Sequence, residues 1–298
     1  KVLNFAGHEI TDQAWYGVDS STLETNRKYN MAGEYYDEFG NTLYYEDQVD
    51  NYKQNHLQIH WNQIYQNGWN SNFGIHFTNG KGFFENYNLG YGASDYIDRR
   101  WIDNDFYGIL YSLNNKTDDF NVNIGGSLNK YNGLHYGEYL WYDQINSPVN
   151  QYDFKEKFYD DFGDKGEFNI YAKIDYYISD RLTLYGDLQF RNIKYDAGIS
   201  ANSTSTGYIE DGFENLDKSF NFFNPKFGLF YNLNKNNNLF FSFARAHREP
   251  TRTDYANGNP NEEKLDDLEL GWKLKSNNLA LSLNAFYMIY EDQLVLTG

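Results

Sequence analysis

No cysteine occurs in the 298 residues, which removes disulfides, thiolate metal sites and a cysteine nucleophile while leaving an oxidising compartment open. Long apolar runs are missing as well. No stretch approaches the roughly 18 residues of a membrane helix, so any membrane crossing must be made by strands. Proline is scarce: of four residues, Pro148, Pro250 and Pro260 fall between candidate strands and Pro225 stands at a strand start, where a missing N–H is tolerated. Basic charge is outnumbered, 25 Lys and Arg against 42 Asp and Glu, and the net −17 repels nucleic acid. That acidity favours a cationic or metal-bearing ligand near the surface, or simply keeps an exterior solvated. Lys1-Val2-Leu3-Asn4-Phe5 runs at once into Gly7-His8-Glu9 with no apolar h-region, so an exported protein has lost its signal peptide or this chain starts internally. No phosphate-binding glycine loop, Ser-His-Asp order, zinc-protease helix or solenoid period is found. Neither catalysis nor a cofactor is expected.

What is abundant is aromatic: 29 Tyr, 23 Phe and 6 Trp in a chain whose hydrophobic share is only 40% and whose mean hydropathy is −0.79. Disordered chains are poor in aromatics, and soluble cores are rich in aliphatic residues. Walls that are apolar on one side and wet on the other have this balance.

Period-two alternation locates those walls. Phe120, Val122, Ile124, Gly126 and Leu128 alternate with Asn121, Asn123, Gly125, Ser127 and Asn129. Similar patterns at 168–178 and 182–191, and at 52–66, 69–78, 100–113, 220–231, 239–246, 265–275 and 279–290, predict ten strands, most of them long enough to cross a bilayer when tilted. Short turns of Asn, Asp, Gly, Ser and Lys alternate with long connections at about 6–51, 79–99, 132–165, 196–219 and 247–264. A meandering transmembrane barrel produces that order, with periplasmic turns and extracellular loops. A soluble sandwich has no reason to place a long loop at every second connection. The expected fold is therefore all-β, an antiparallel up-and-down transmembrane β-barrel occupying 1–298. Ten strands leave two open edges, so the chain is expected to be part of a larger barrel.

Phe243-Ala244-Arg245-Ala246-His247-Arg248-Glu249-Pro250-Thr251-Arg252 resembles the TonB-dependent receptor family, in which a strand ends in Ala-Arg followed by Arg-Glu-Pro at the cell surface. Pro260-Asn261-Glu262-Glu263-Lys264-Leu265 running to Glu269-Leu270-Gly271 is similar to that family's Pro-x-Glu-x-Leu-x-x-x-Glu-Leu-Gly, and Asn284 to Leu294 to its late-barrel hairpin. Upstream, 7–18 and 50–56 look like mid-barrel segments of Bacteroidetes receptors described as iron-complex receptors. The resemblance implies a 22-stranded barrel in the bacterial outer membrane, plugged by an N-terminal globular domain and driven by an inner-membrane TonB complex through a short box. Neither plug nor box is in this sequence. Uptake of a scarce solute, above all a ferric siderophore-like chelate, is the implied function; a passive porin or a glycan or peptide importer is the alternative. The implied partners are an extracellular small-molecule ligand, the outer-membrane bilayer and the TonB complex acting through the plug.

Several side chains are candidate ligand contacts. His56 and His60 on one strand stand about 13 Å apart, too far to share a metal, but His60 and His76 fall on polar faces of paired strands. Arg245, Arg248 and Arg252 with His247 offer paired donors to an anionic chelate, or a rim network with Glu249, Asp254, Glu262 and Glu263. Phe83, Phe84, Tyr87, Tyr91 and Tyr96, and Tyr136, Tyr139, Trp141 and Tyr142, could stack on a sugar or planar chelator or form an interfacial belt. Asp103 with Asp105, and Asp160, Asp161 and Asp164, lack the order of a calcium-binding EF-hand and read as solvated loop acids.

Overall fold

The computed structural model describes residues 1–90, 94–142, 157–200, 215–256, 258–293 and 295. In chain order the elements are β1 (Val2–Asp12), α1 (Ser20–Thr25), β2 (Glu34–Tyr36), β3 (Thr42–Tyr44), β4 (Val49–Ile64), β5 (Trp69–Asn88), β6 (Tyr96–Lys116), β7 (Phe120–Tyr142), β8 (Lys157–Ser179), β9 (Leu182–Gly198), β10 (Asn215–Asn234), β11 (Asn237–Arg248), α2 (Arg252–Ala256), β12 (Glu263–Lys275) and β13 (Ala280–Glu291). All but β2 and β3 join one antiparallel sheet of eleven strands in sequence order, β1 pairing with β4 and each later strand with the next. β2 and β3 form a separate hairpin in the first long connection.

The register explains the alternation. Ile59, Ile75, Ile109, Leu128 and Phe168 face one another across β4 to β8 in a single row, and every one of them is exposed. One residue along, Gln58, His76, Gly108, Asn129, Glu167, Ile193 and Phe220 form the matching row on the other face. On β9 to β13 the same outward face carries Leu188, Phe227, Phe243, Leu268 and Tyr287, and on β1 Val2 stands beside Ile59. An exposed apolar band on eleven consecutive strands is unstable in water and stable in hydrocarbon.

Two sequence expectations need correction. The connection expected over 6–51 contains a full strand, so the sheet has eleven strands and not ten: β1 pairs with β4 from Val2↔Ile59 to Asp12↔Val49. Its sequence does not alternate, because hydrogen bonds hold its register while Gly7, His8 and Glu9 break the apolar rhythm. The other long connections are shorter than expected. β5 runs to Asn88 and β6 starts at Tyr96, so 79–99 shrinks to 89–95; 132–165 becomes 143–156, 196–219 becomes 199–214, and 247–264 becomes 249–262. The ladder continues past the apolar band while the outward side chains turn polar. Lys81 bonds Asp103 at 2.7 Å across β5 and β6, and Lys130 pairs with Asp164 across β7 and β8. Charges on that face erase the period-two hydrophobic signal without interrupting the backbone bonds.

The five short turns gather at one end of the strands. At 65–68, Tyr65 N–H donates to Trp69 C=O at 2.8 Å and Gly68 takes φ +83°, a conformation that favours glycine. The strand ends that lead into the long connections lie at the other end, and a buried apolar cluster lies there. Ile193, Ala197, Ile199, Leu216, Phe220 and Phe222 pack around Tyr255 of α2, which is 1% exposed. Ile193, Phe220 and Phe222 belong to the face opposite the apolar band, so the β11–β12 connection folds back over that face.

Candidate ligand-binding recess

A recess of about 510 Å³ opens on the polar face, above the level of the apolar band; Glu9, Asp50, Tyr52, Arg100, His135 and Tyr159 are among its lining residues. These side chains come from β1, β4, β6, β7 and β8. Strands at opposite sides of the half-sheet line one hollow only if the sheet curls with its polar face inside. The volume falls in the range of small-molecule sites.

Register positions each group. Tyr52 pairs with Glu9 on one side and Gly82 on the other, and Gly82 is confined by Tyr52: a side chain there would strike its ring and the Asn51 carbonyl. The missing side chain lets the phenol ring of Tyr52 lie against the sheet. Arg100 follows from Gly137 and Phe84 as register partners. Its Nε donates to Asp98 at 3.0 Å, and Asp98, 1% exposed, also accepts from Asn88 Nδ2 at 2.7 Å. The guanidinium lies 5.7 Å from the Phe158 ring centre. A buried carboxylate and an aromatic face thus fix the cation, and a charge-assisted hydrogen bond of this kind is stronger than a neutral one.

A second charged knot joins the recess to the inward connection. Asp161, 1% exposed, accepts from the Ser200 backbone N–H at 2.9 Å and the Ser200 hydroxyl at 2.5 Å, and pairs with Arg252 of α2. His135 is its register partner. Burial, reinforced by the Arg252 charge and opposed by Asp161, holds the His135 imidazole below its usual pKa, so the neutral ring is favoured. Just ahead of α2, Glu249 meets Lys165 at 2.5 Å and Arg191 at 3.7 Å. Burial alone would raise its pKa, but the Lys165 hydrogen bond and the two cations bring it below the usual carboxylate value.

The residues singled out in the sequence are dispersed. His60 and His76 share the inward face of β4 and β5 but are offset, His60 opposite Gly74 and His76 opposite Gln58. His60 Nε2 lies 3.1 Å from Gln58 Oε1, while His76 reaches over Gly108 to Asn129 Oδ1 at 3.0 Å. A side chain at Gly108 would collide with His76 Nε2, so the glycine opens that path. Among the described residues no group of three metal-binding side chains assembles.

The three arginines go to three different carboxylates. Arg245 holds Asp266 through two bonds of 2.6 and 2.7 Å, Arg248 pairs with Glu263 at 3.3 Å, and Arg252 with Asp161. His247 stacks on Phe222 at 5.2 Å and meets Asn224 Oδ1 at 2.7 Å. They form no common anion cradle. Tyr139 stacks on Phe158 at 4.4 Å and Trp141 on Tyr87 at 6.0 Å. Phe83, Trp101 and Tyr136 make a row across β5 to β7, on the outward face at its upper edge, Trp101 and Tyr136 stacked at 5.8 Å. Tyr91 lies outside the described residues.

Six lining residues, Glu9, Asp50, Tyr52, Arg100, His135 and Tyr159, carry no sequence signal of their own. They are brought together by strand register alone, and four of them, Glu9, Asp50, His135 and Tyr159, lie in stretches expected to be loops.

The model of the TonB dependent receptor-like, beta-barrel family matches residues 4–298. The chain belongs to this family of outer-membrane receptors. Solved structures similar to it include the copper transporter OprC, at 12% identity and TM-score 0.64, covering 84% of this chain and 41% of that one. The unliganded ferric citrate transporter FecA matches at 13% identity and TM-score 0.63, covering 96% and 40%. The closed form of the ferric-catecholate import receptor Fiu from E. coli K12 matches at 14% and 0.60, covering 96% and 48%. Such identities establish the shared fold, and the chain spans less than half the length of these relatives. No curated protein sequence matches it.

Proposed function

We propose that this chain is part of the barrel wall of an active importer in which the recess receives a scarce extracellular solute, and that the solute is a metal chelate of the ferric siderophore type. The long-connection end faces the outside, and the short turns face the periplasm. A plug carried elsewhere in the protein closes the interior and answers to the TonB complex, and the bilayer is the partner of the apolar band. The motifs at 243–294, 7–18 and 50–56 favour a receptor of the Bacteroidetes iron-complex kind.

One observation carries the reading: a small-molecule-sized, charged and aromatic hollow lies on the inward face just where the strands rise beyond the apolar band. Fiu and FecA, named for ferric catecholate and ferric citrate, support iron as the metal, whereas OprC is named for copper. The candidate contacts His60, His76, Arg245, His247, Arg248, Arg252, Tyr139 and Trp141 take second place to the lining residues, since most already have protein partners.

The test is uptake of radiolabelled iron from a panel of ferric chelates by cells grown under iron limitation, with and without the gene. Energy-dependent loss of uptake for at least one chelate is expected in the deletion. Unimpaired uptake of all of them would remove iron chelates as cargo. Free leakage of small sugars through the reconstituted intact protein would instead identify a passive pore.

A further inference from the structure

The recess is divided by charge. Its β1 and β4 wall presents two carboxylates, Glu9 and Asp50, and its β6 and β7 wall presents the Arg100 cation beside the neutral imidazole of His135. Neither Glu9 nor Asp50 has an ion pair or side-chain hydrogen bond among the described residues, although most other inward charges do. Glu167 holds Arg191 at 3.0 Å and Asp161 holds Arg252. Asp50 is half-buried and Glu9 is exposed, so both carboxylates are open to a cation that enters the recess. On the other wall Arg100 uses only Nε on Asp98, so its two terminal nitrogens remain donors without protein acceptors among the described residues. Two strand spacings separate β4 from β6 and three separate β1 from β6, placing the Arg100 cation roughly 10 to 14 Å from the two carboxylates.

We infer that the cargo is amphoteric: an oxygen-rich, negatively polarised metal core seated against Arg100 and His135, with a protonated amine on an arm that reaches Glu9 and Asp50. Tyr52, between the two walls on β4, offers an aromatic surface for the aliphatic part of the arm. A neutral or wholly anionic chelate would leave the two carboxylates unpaired, and an anionic one would be repelled by them. The inference rests on the chelate reading above and adds the charge and orientation of the ligand.

The experiment measures binding of two probes to the intact receptor in outer-membrane vesicles: a linear ferric trihydroxamate with a free terminal amine, and its N-acetylated derivative. The metal core is the same in both. At low ionic strength the amine form should bind about tenfold more tightly, a preference that shrinks as salt screens the charges. The double variant Glu9→Gln/Asp50→Asn should bring the two probes to within about twofold. Asp105→Asn, which removes a carboxylate on the outward face bonded to Asn79 at 2.7 Å, should leave the preference intact. Equal binding of the two probes by the unaltered receptor, or a preference that survives the double variant, would overturn the inference and leave the chelate reading standing. Binding of neither probe would overturn the inference as well, and the chelate reading then stands or falls on the uptake panel.

Discussion

The lower halves of the strands keep their apolar band on the outward face, and only the upper halves build a buried apolar cluster on the inward one. Near the short turns Ile59, Ile75, Ile109 and Leu128 point outward and are exposed, while Gln58, His76 and Asn129 point inward. Near the long connections the outward face carries Lys81 with Asp103 and Lys130 with Asp164, and the apolar cluster of Ile193, Phe220, Phe222 and Tyr255 lies inward. Backbone pairing is continuous through the change, so the ladder does not dictate it. The surrounding medium does: hydrocarbon beside the lower half rewards outward apolar groups, and water around the upper half returns them to an ordinary buried core.

The largest expected effect on the global stability of the membrane-embedded sheet tests the lower half. Ile109→Arg puts a charge near the middle of the apolar band and should cost about 2–4 kcal/mol of stability in a bilayer, whereas Leu134→Arg, outward on the same sheet but above the band, should cost about 1 kcal/mol or less. Equilibrium unfolding of the intact receptor from lipid vesicles compares them directly. Equal costs would remove the distinction between the halves.

Next comes the upper core. Tyr255→Ala empties the centre of the inward cluster and should cost about 3–5 kcal/mol locally, seen as faster hydrogen exchange over 249–262 with the transmembrane strands unchanged. Arg252→Ala, which strips Asp161 of its cation but leaves the two Ser200 bonds, should loosen the same segment by a smaller amount, on the order of 2 kcal/mol.

A smaller effect concerns pH. His135 is held below its unfolded-state value, chiefly by burial, so the unfolded chain binds the proton more readily. Its contribution to stability is therefore full above pH about 6.5 and is lost as pH falls from there through the folded value. His135→Gln should flatten that part of the stability profile, and an NMR titration of the imidazole should give a midpoint below 6.5. Smallest of all, breaking the exposed outward pair with Lys81→Gln should change stability by less than about 1 kcal/mol, with the difference vanishing in high salt.

The same contrast explains what could be read in advance. Phe120 to Asn129 on β7 declared itself because lipid on one side and water on the other impose alternation, and so did the short turn at Asn67-Gly68. β1 stayed hidden, since Gly7, His8 and Glu9 follow no period and only the Val2↔Ile59 to Asp12↔Val49 pairing reveals the strand. Leu134 to Tyr142 and Phe158 to Asp164 looked like loop because their outward residues are mixed. The motif around Arg245 and Arg252 marked the end of a strand at the cell surface. That Arg252 would find Asp161, 91 positions earlier in the chain, was beyond any local pattern. Arg100, His135 and Glu9 share a recess through register across five sheet neighbours, and register is a property of pairing that one sequence does not display.

A cysteine introduced among these 298 residues has no native neighbour of its kind in the barrel wall, which opens the central claim to a direct chemical measurement. Leu128 and Ser127 are adjacent on β7, the first outward in the apolar row and the second inward, paired with Leu110 and Asn169. Single Leu128→Cys and Ser127→Cys variants of the intact receptor, embedded in membranes, would be exposed to a small hydrophilic maleimide from both sides. Rapid labelling of Ser127→Cys and protection of Leu128→Cys until detergent is added is the predicted result. Labelling of Leu128→Cys in the intact membrane as fast as Ser127→Cys would contradict the account.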